Sequence, residues 1–440
     1  MHKSIASSVT LSAMAATVGL VSYAVSAEEL TIATVNNSDM IIMQKLSTAF
    51  EEATDHTLNW VVLEENVLRQ RVTTDIATKG GQFDVITIGA YETPIWGAQG
   101  WLASLEDLGD DYDYDDLFPS VRNGLSADDT LYAVPFYAES SFTFYRKDLF
   151  DAAGIEVPEH LTYDQLAEFA EQLHDPDNEV YGTCQRGKAG WGENMAFVGP
   201  MVNAFGGRWF DMDWQPQLTS KAWKLAVNFY VDLMTSYGPP GASSNGHNEN
   251  RALFADGKCA IWVDATSAAG YIYNPNESAV ADKTDFTKAP MQVTDKGAGW
   301  FWAWALAVPA SSARIDAAKQ FLKWSTSKEY VALVGESEGW ISAPPGTRKS
   351  TYANEAYLAA APFAKTVENS ILTADPSDST LEEVPYTGVQ FVAIPEFQGI
   401  GNFVGQQIAA ALAGSKTVDQ ALEDSQRFAI REMTKAGYIQ

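Results

Sequence analysis

Positive charge is scarce in this sequence. Against 57 Asp and Glu stand 29 Lys and Arg, a formal net charge of −28 over 440 residues. Such an acidic chain repels nucleic acid and anionic lipid, so neither is expected as a partner. Cysteine is scarcer still, with Cys184 and Cys259 alone. One pair is not a disulfide scaffold; an oxidising compartment permits a bridge between them, and two buried thiols are the alternative. The five histidines, His2, His56, His160, His174 and His247, are scattered without ligand spacing. With the cysteines far apart too, no metal site and no cofactor are expected. There is no GxSxG elbow, and neither cysteine sits in a catalytic signature. Glu92 and Glu139 could be imagined as a glycosidase pair, but an acidic chain contains many Glu pairs by chance. The expectation is a protein without catalytic residues.

Long apolar runs are missing beyond the first residues. The opening MHKSIASSVTLSAMAATVGLVSYAVSA has a basic start, a short apolar stretch and Val25-Ser26-Ala27 as a small-residue cleavage site. It reads as a signal peptide over 1–27, cut near Ala27. No cysteine follows that site, so no lipid anchor is expected. Removing 27 of 440 residues leaves 413, room for two domains with full-sized cores.

What is present alternates between strand and helix patterns. LTIATV (30–35), LNWVVL (58–63) and FDVITIG (83–89) read as strands. Met40, Met43, Leu46 and Phe50 recur at helical spacing between the first two, and a polar helix runs to Lys79 after the second. This order predicts α/β architecture with mostly parallel sheets covered by helices. Thr162 and Gln165 form a capping box that starts a helix through His174. Further helices are expected over 220–234 and 248–255, the latter feeding the strand CAIWVD.

Polar or aromatic groups recur just past the carboxyl ends of predicted strands. LTIATV leads into Asn36 and Asn37, FDVITIGA into Tyr91 and Glu92, LYAVPFYA into Glu139, and CAIWV into Asp264. Each alone is an ordinary turn or cap residue; four strand ends with the same kind of group point to a shared site, since open α/β sheets bind ligands there. GWFWAWALAVP (299–309) adds Trp300, Trp302 and Trp304 at the strand period. They share a face with Leu306 and Val308, either in a core or along a cavity wall.

Together these segments resemble the extracellular solute-binding proteins of ABC importers, in the sugar-binding group typified by maltose-binding proteins. The marks are VNNSDM, FDVITIG followed by AYETPIWGAQGWLASL, AVPFYAESSFTFYRKDLF, FGGRWFD, ALFADGKCAIWVDATS and WAWALAVP, in that order. YETPIWG, RGKAGWGENMAF, WVDATSAAG, WISAPPGTR and IPEFQGIG are similar to the branch that binds hexitols such as sorbitol and mannitol. The resemblance implies a two-lobed periplasmic-binding-protein fold (type II) with the ligand between the lobes. It places the N-terminal lobe at 28–140 and 305–355, and the C-terminal lobe at 141–304 and 356–440. It also implies a monomer in the periplasm, serving the membrane permease subunits of an importer.

Carried over by position, the implied ligand contacts are Asn36, Asn37, Tyr91, Glu92, Glu139 and Asp264, extended by Arg348, Glu396, Trp191 and Asn194. Trp300 and Trp302 are expected nearer the ligand and Trp304 in the core. Asn amides, carboxylates and Arg engage neighbouring hydroxyls while indole faces cover C–H surface, which suits an uncharged polyol. Maltose binders use several aromatic platforms for long glucans, and the matched positions here are more polar. That favours a small polyol, with a mono- or disaccharide and a secreted carbohydrate-active enzyme as the alternatives.

Overall fold

The computed structural model describes residues 27–440, so the expected signal peptide lies outside the described residues but for Ala27. The strands are β1 (Glu29–Val35), β2 (Thr57–Leu63), β3 (Val85–Gly89), β4 (Ser126–Ala127), β5 (Thr130–Leu131), β6 (Val134–Glu139), β7 (Ser141–Arg146), β8 (Tyr181–Thr183), β9 (Cys259–Ala265), β10 (Thr284–Lys288) and β11 (Trp302–Ala307). One sheet has the order β2-β1-β3-β11-β6 and a second the order β10-β7-β9-β8, while β4 and β5 form a small hairpin.

Local sequence explains most of this. VITIG of β3 is buried at every position, as a strand covered by helices on both faces must be. β1 runs parallel to both β2 and β3, as the βαβα pattern requires. The parallel order stops where the chain passes between sheets: β11 runs antiparallel to β3 and β6, and β7 antiparallel to β9 and β10. The capping box forms as expected, with the Thr162 hydroxyl accepting from the Gln165 backbone and the Gln165 side chain from the Thr162 backbone. The helix expected through Phe50 is broken at Ser47 into Ser38–Leu46 and Thr48–Thr54. Gly89 at the end of β3 tolerates no side chain, because a Cβ there would lie 2.0 Å from the Trp302 ring.

Three segments connect the two sheets. β6 ends at Glu139 and β7 begins at Ser141, so Ser140 is the first crossing. The chain returns between β10 and β11, and Trp302 and Trp304 already pair with the first sheet. The return therefore precedes the boundary expected at 304/305. The last crossing comes later than the expected 355/356. Helices Glu355–Ala360 and Ala364–Thr373 pack with the helix Lys349–Tyr352, and Ala364–Thr373 also touches β6. The crossing runs over 374–396, where Glu383, Tyr386 and Val389 already bond Arg208, the Trp209 backbone and Asn203 of the second lobe. Helix Phe397–Leu412 then lies against Val418–Ala436 and Asn194–Ala204.

Cys184 and Cys259 form a disulfide, which settles the alternative left open by the sequence. Cys259 begins β9 and Cys184 follows its parallel neighbour β8, so the bond ties an edge strand to the centre of the second sheet. Native protein alkylated after unfolding without reductant should show no modified cysteine by intact mass. Replacing both cysteines with Ala should lower the unfolding free energy by about 2–4 kcal/mol, read from chemical denaturation.

Candidate functional site

A cavity of about 610 Å³ lies between the two sheets. The first lobe lines it from the ends of β1 and β2 and the segments after them (Val35–Asn37, Leu63–Glu65), from Tyr137 and Glu139 of β6, and from Trp302 and Trp304 of β11. β11 is antiparallel to its neighbours, so its amino end meets the carboxyl ends of the parallel strands at the same edge. The second lobe contributes Arg186, Lys188, Trp191, Glu193, His247 and Arg251, among others. Trp300 and Gln390 come from the crossing segments.

Of the expected contacts, Asn36, Asn37, Glu139, Trp191, Trp300 and Trp302 line this cavity. Asn37 has two tasks: its Oδ1 accepts from the Met40 backbone 2.9 Å away as a helix cap, and its amide reaches the Tyr137 hydroxyl at 3.3 Å. Trp304, expected in the core, lines the cavity as well. Trp302 and Trp304 point the same way before the bulge that follows Trp304, and their rings meet edge-to-face at 5.5 Å.

The other expected contacts stand behind the cavity wall. Asp264 is fully buried, and its carboxylate is consumed by the protein. Arg186 donates to it at 2.8 and 2.5 Å, the Trp262 indole at 3.1 Å and the Ala265 backbone at 2.7 Å. Burial alone would raise its pKa, but Arg186 and then His247 outweigh that and hold the carboxyl far below its ordinary range. Asp264 thus positions Arg186, which lines the cavity in its place.

Glu92 plays the same part for Arg69. It is buried in an ion pair with that guanidinium and accepts from the Gly89 backbone at 3.0 Å. Tyr91 donates its hydroxyl to the Ile394 carbonyl at 2.9 Å, and so braces the last crossing. Asn194 bonds the Gly405 carbonyl and the Gly190 N–H within the second lobe.

Two positions carried over by resemblance serve elsewhere. Arg348 is fully buried at a distance from the cleft, donating to the Thr326, Tyr112 and Asp113 carbonyls and pairing with Asp116. Glu396 precedes the helix Phe397–Leu412 and interacts with Tyr438. Neither lines the cavity.

Sequence reasoning missed Arg69 and Arg186. Arg69 sits in the helix Glu65–Thr78, bonded to Glu65 one turn earlier. Its guanidinium lies 4.0 Å from the Trp191 ring centroid, 4.8 Å from Trp304 and 5.3 Å from Trp302. Burial lowers its pKa, but Glu92 and Glu65 more than offset this and keep it charged. Arg186 follows the end of β8, so the strand-end rule applied to that short strand would have found it. Arg69 carries no such signal, because its partners are distant in sequence.

The remaining charge is mostly paired. Lys188 bridges Glu64 at 2.7 Å and Glu193 at 3.5 Å, the first of these spanning the two lobes. Glu139, like Glu249 and Arg251, lines the cavity without an ion pair among the described residues. Burial pushes the Glu139 carboxyl up to about 8, against hydrogen bonds from Ser267 and Trp300 and the nearby Arg186. The Ser267 hydroxyl donates to it at 2.5 Å. A wall of paired charges, amides and indole faces can bind hydroxyls without requiring a charged ligand.

Two α/β lobes joined by three crossings, with a polar and aromatic cavity between them, define a two-lobed solute-binding protein. The chain belongs to the bacterial extracellular solute-binding protein family, whose pattern it matches over residues 36–332. It is 60% identical over 413 residues to a mannitol-binding protein of Pseudomonas aeruginosa, covering 94% of each chain. A solute-binding protein of Agrobacterium vitis S4 with bound D-mannitol is 59% identical, with a TM-score of 0.92 over 93% of this chain and 99% of that one. A protein of Agrobacterium radiobacter K84 in complex with ribitol is 26% identical, with a TM-score of 0.81 over 91% and 98%.

Glu139 ionises near its ordinary 4.5 when unfolded and near 8 in the folded, unliganded protein. Its contribution to stability is complete below the unfolded value and is lost as pH rises through the folded one. Glu139→Gln, which cannot ionise, should therefore gain on the wild type by a few kcal/mol between about pH 5 and pH 9. Chemical denaturation at both pH values checks this; an unchanged difference would show that Glu139 is not held as a neutral acid.

Proposed function

We propose that this protein captures a small open-chain polyol, D-mannitol or a close alditol, and delivers it to the permease subunits of an ABC importer. It acts as a monomer in the periplasm after removal of the first 27 residues, and it returns its ligand chemically unchanged. The observation that carries this reading is the composition of the cavity. Trp191, Trp300, Trp302 and Trp304 offer indole faces for C–H surface. Arg186, Arg69 and Lys188 are already neutralised by Asp264, Glu92, Glu65 and Glu64, so they can donate to hydroxyls without calling for an anion. The Trp191 indole N–H and the Gln390 side-chain oxygen are buried without a protein partner, a donor and an acceptor for ligand hydroxyls. The likeness to proteins that bind mannitol and ribitol supports the same class of ligand.

The test is a thermal-shift and calorimetric panel of D-mannitol, D-glucitol, ribitol and maltose. A ligand that binds only the folded state at about 100 times its Kd adds roughly 2.7 kcal/mol of stability. The alditols should raise Tm and be recovered intact by mass, with maltose giving little shift. A shift with maltose and none with alditols would overturn the polyol reading; consumption of the ligand would overturn the binding role.

A further inference from the structure

A second cavity, about 390 Å³, adjoins the first within the same interlobe cleft. Its lining includes Asp39 of the first lobe, Tyr271, Asn274 and Glu277 of the second, and Phe363. Ile41 and Arg251 line both cavities, so they stand between them. Arg251 reaches across the cleft and donates from Nη1 to the Ser38 hydroxyl at 2.5 Å. Its guanidinium covers the Tyr271 ring at 4.4 Å from the centroid. The base of the same partition is the Ser267–Glu139 hydrogen bond, with Glu139 facing the first cavity and Ser267 the second.

We propose that Arg251 is the wall that sets ligand length: with its guanidinium on Ser38 and Tyr271 the cleft accepts an open-chain polyol, and without it an alditol bearing one pyranose ring. The inference rests on the polyol reading of the first cavity. Shortening the side chain joins the two cavities and uncovers the Tyr271 face. An aromatic face suits the C–H side of a pyranose, while Asp39, Asn274 and Glu277 offer groups for ring hydroxyls. The Arg251 Nε is buried without a protein partner, so in the native protein the wall still has a donor to offer a ligand hydroxyl. Arg251 then limits ligand length and also bridges the lobes, as the Lys188–Glu64 pair does, since Ser38 and Arg251 belong to opposite lobes.

Calorimetry with D-mannitol and maltitol on the wild type, Arg251→Ala and Ser38→Ala tests this. The wild type should prefer D-mannitol over maltitol by at least about a hundredfold in Kd. Arg251→Ala should cut that preference by at least about tenfold, and Ser38→Ala should shift it the same way by less. Ser38→Ala removes one hydroxyl from a half-buried position, so it carries the test alone if Arg251→Ala does not fold. An unchanged preference in the folded variants, or a wild type that binds both ligands equally, overturns the proposal. A wild type that binds no alditol is a different result, which overturns the polyol reading and the wall with it.

Discussion

The guanidinium of Arg69 is the constraint on which the rest of the cleft depends. A buried positive charge is costly unless every part of it is paired. Here Glu92 and Glu65 supply the countercharge, and indoles from both lobes supply the faces: Trp302 and Trp304 from β11, Trp191 from beyond the first crossing. Cation–π contacts between desolvated partners contribute about 2 kcal/mol. The contact with Trp191 joins the two lobes, so the same group that organises the first lobe's wall also holds it against the second. This is why Glu92 and Gly89 matter without meeting a ligand. Glu92 holds Arg69, and the missing side chain at Gly89 leaves room for the Trp302 ring.

The second lobe repeats the device with different residues. Asp264 is spent on Arg186, whose guanidinium also lies 5.7 Å from the Trp300 ring centroid. Each wall therefore presents an arginine held from behind by a buried carboxylate and set against tryptophan. Such a cavity is polar without carrying a strong net field, and that suits a ligand with a hydroxyl on every carbon and no charge. Glu139 departs from the pattern because no arginine is bonded to it, and burial keeps its proton.

What was legible in the sequence was local. Strand runs such as VITIG and the Thr162–Gln165 capping box depend on neighbours within a few residues and appear where expected. Of the three tryptophans, Trp302 and Trp304 lie in β11, Trp300 precedes it, and a bulge after Trp304 interrupts the alternation. The strand-end rule located the site's edge and part of its surface, since Asn36, Asn37 and Glu139 line the cavity. It named Glu92 and Asp264, whereas the cavity is lined by their partners Arg69 and Arg186, 23 and 78 residues away in sequence. No periodicity encodes such pairs. Arg348 fails for the same reason in reverse: an arginine in a loop after APPGT looks available, yet Asp116 and three carbonyls enclose it. The late final crossing was not legible because it is set by the contact of helix Ala364–Thr373 with β6, which is distant in sequence.

The most direct test of this account is D-mannitol binding to Arg69→Met, which keeps much of the aliphatic stem and removes the charge. On folded protein, calorimetry should show affinity reduced by at least about tenfold, a loss of roughly 1.4 kcal/mol or more. The ligand-induced change in tryptophan fluorescence should shrink with it, because the cation no longer joins Trp191 to Trp302 and Trp304. Wild-type affinity with a full fluorescence response in Arg69→Met would contradict the claim that this guanidinium organises the cleft.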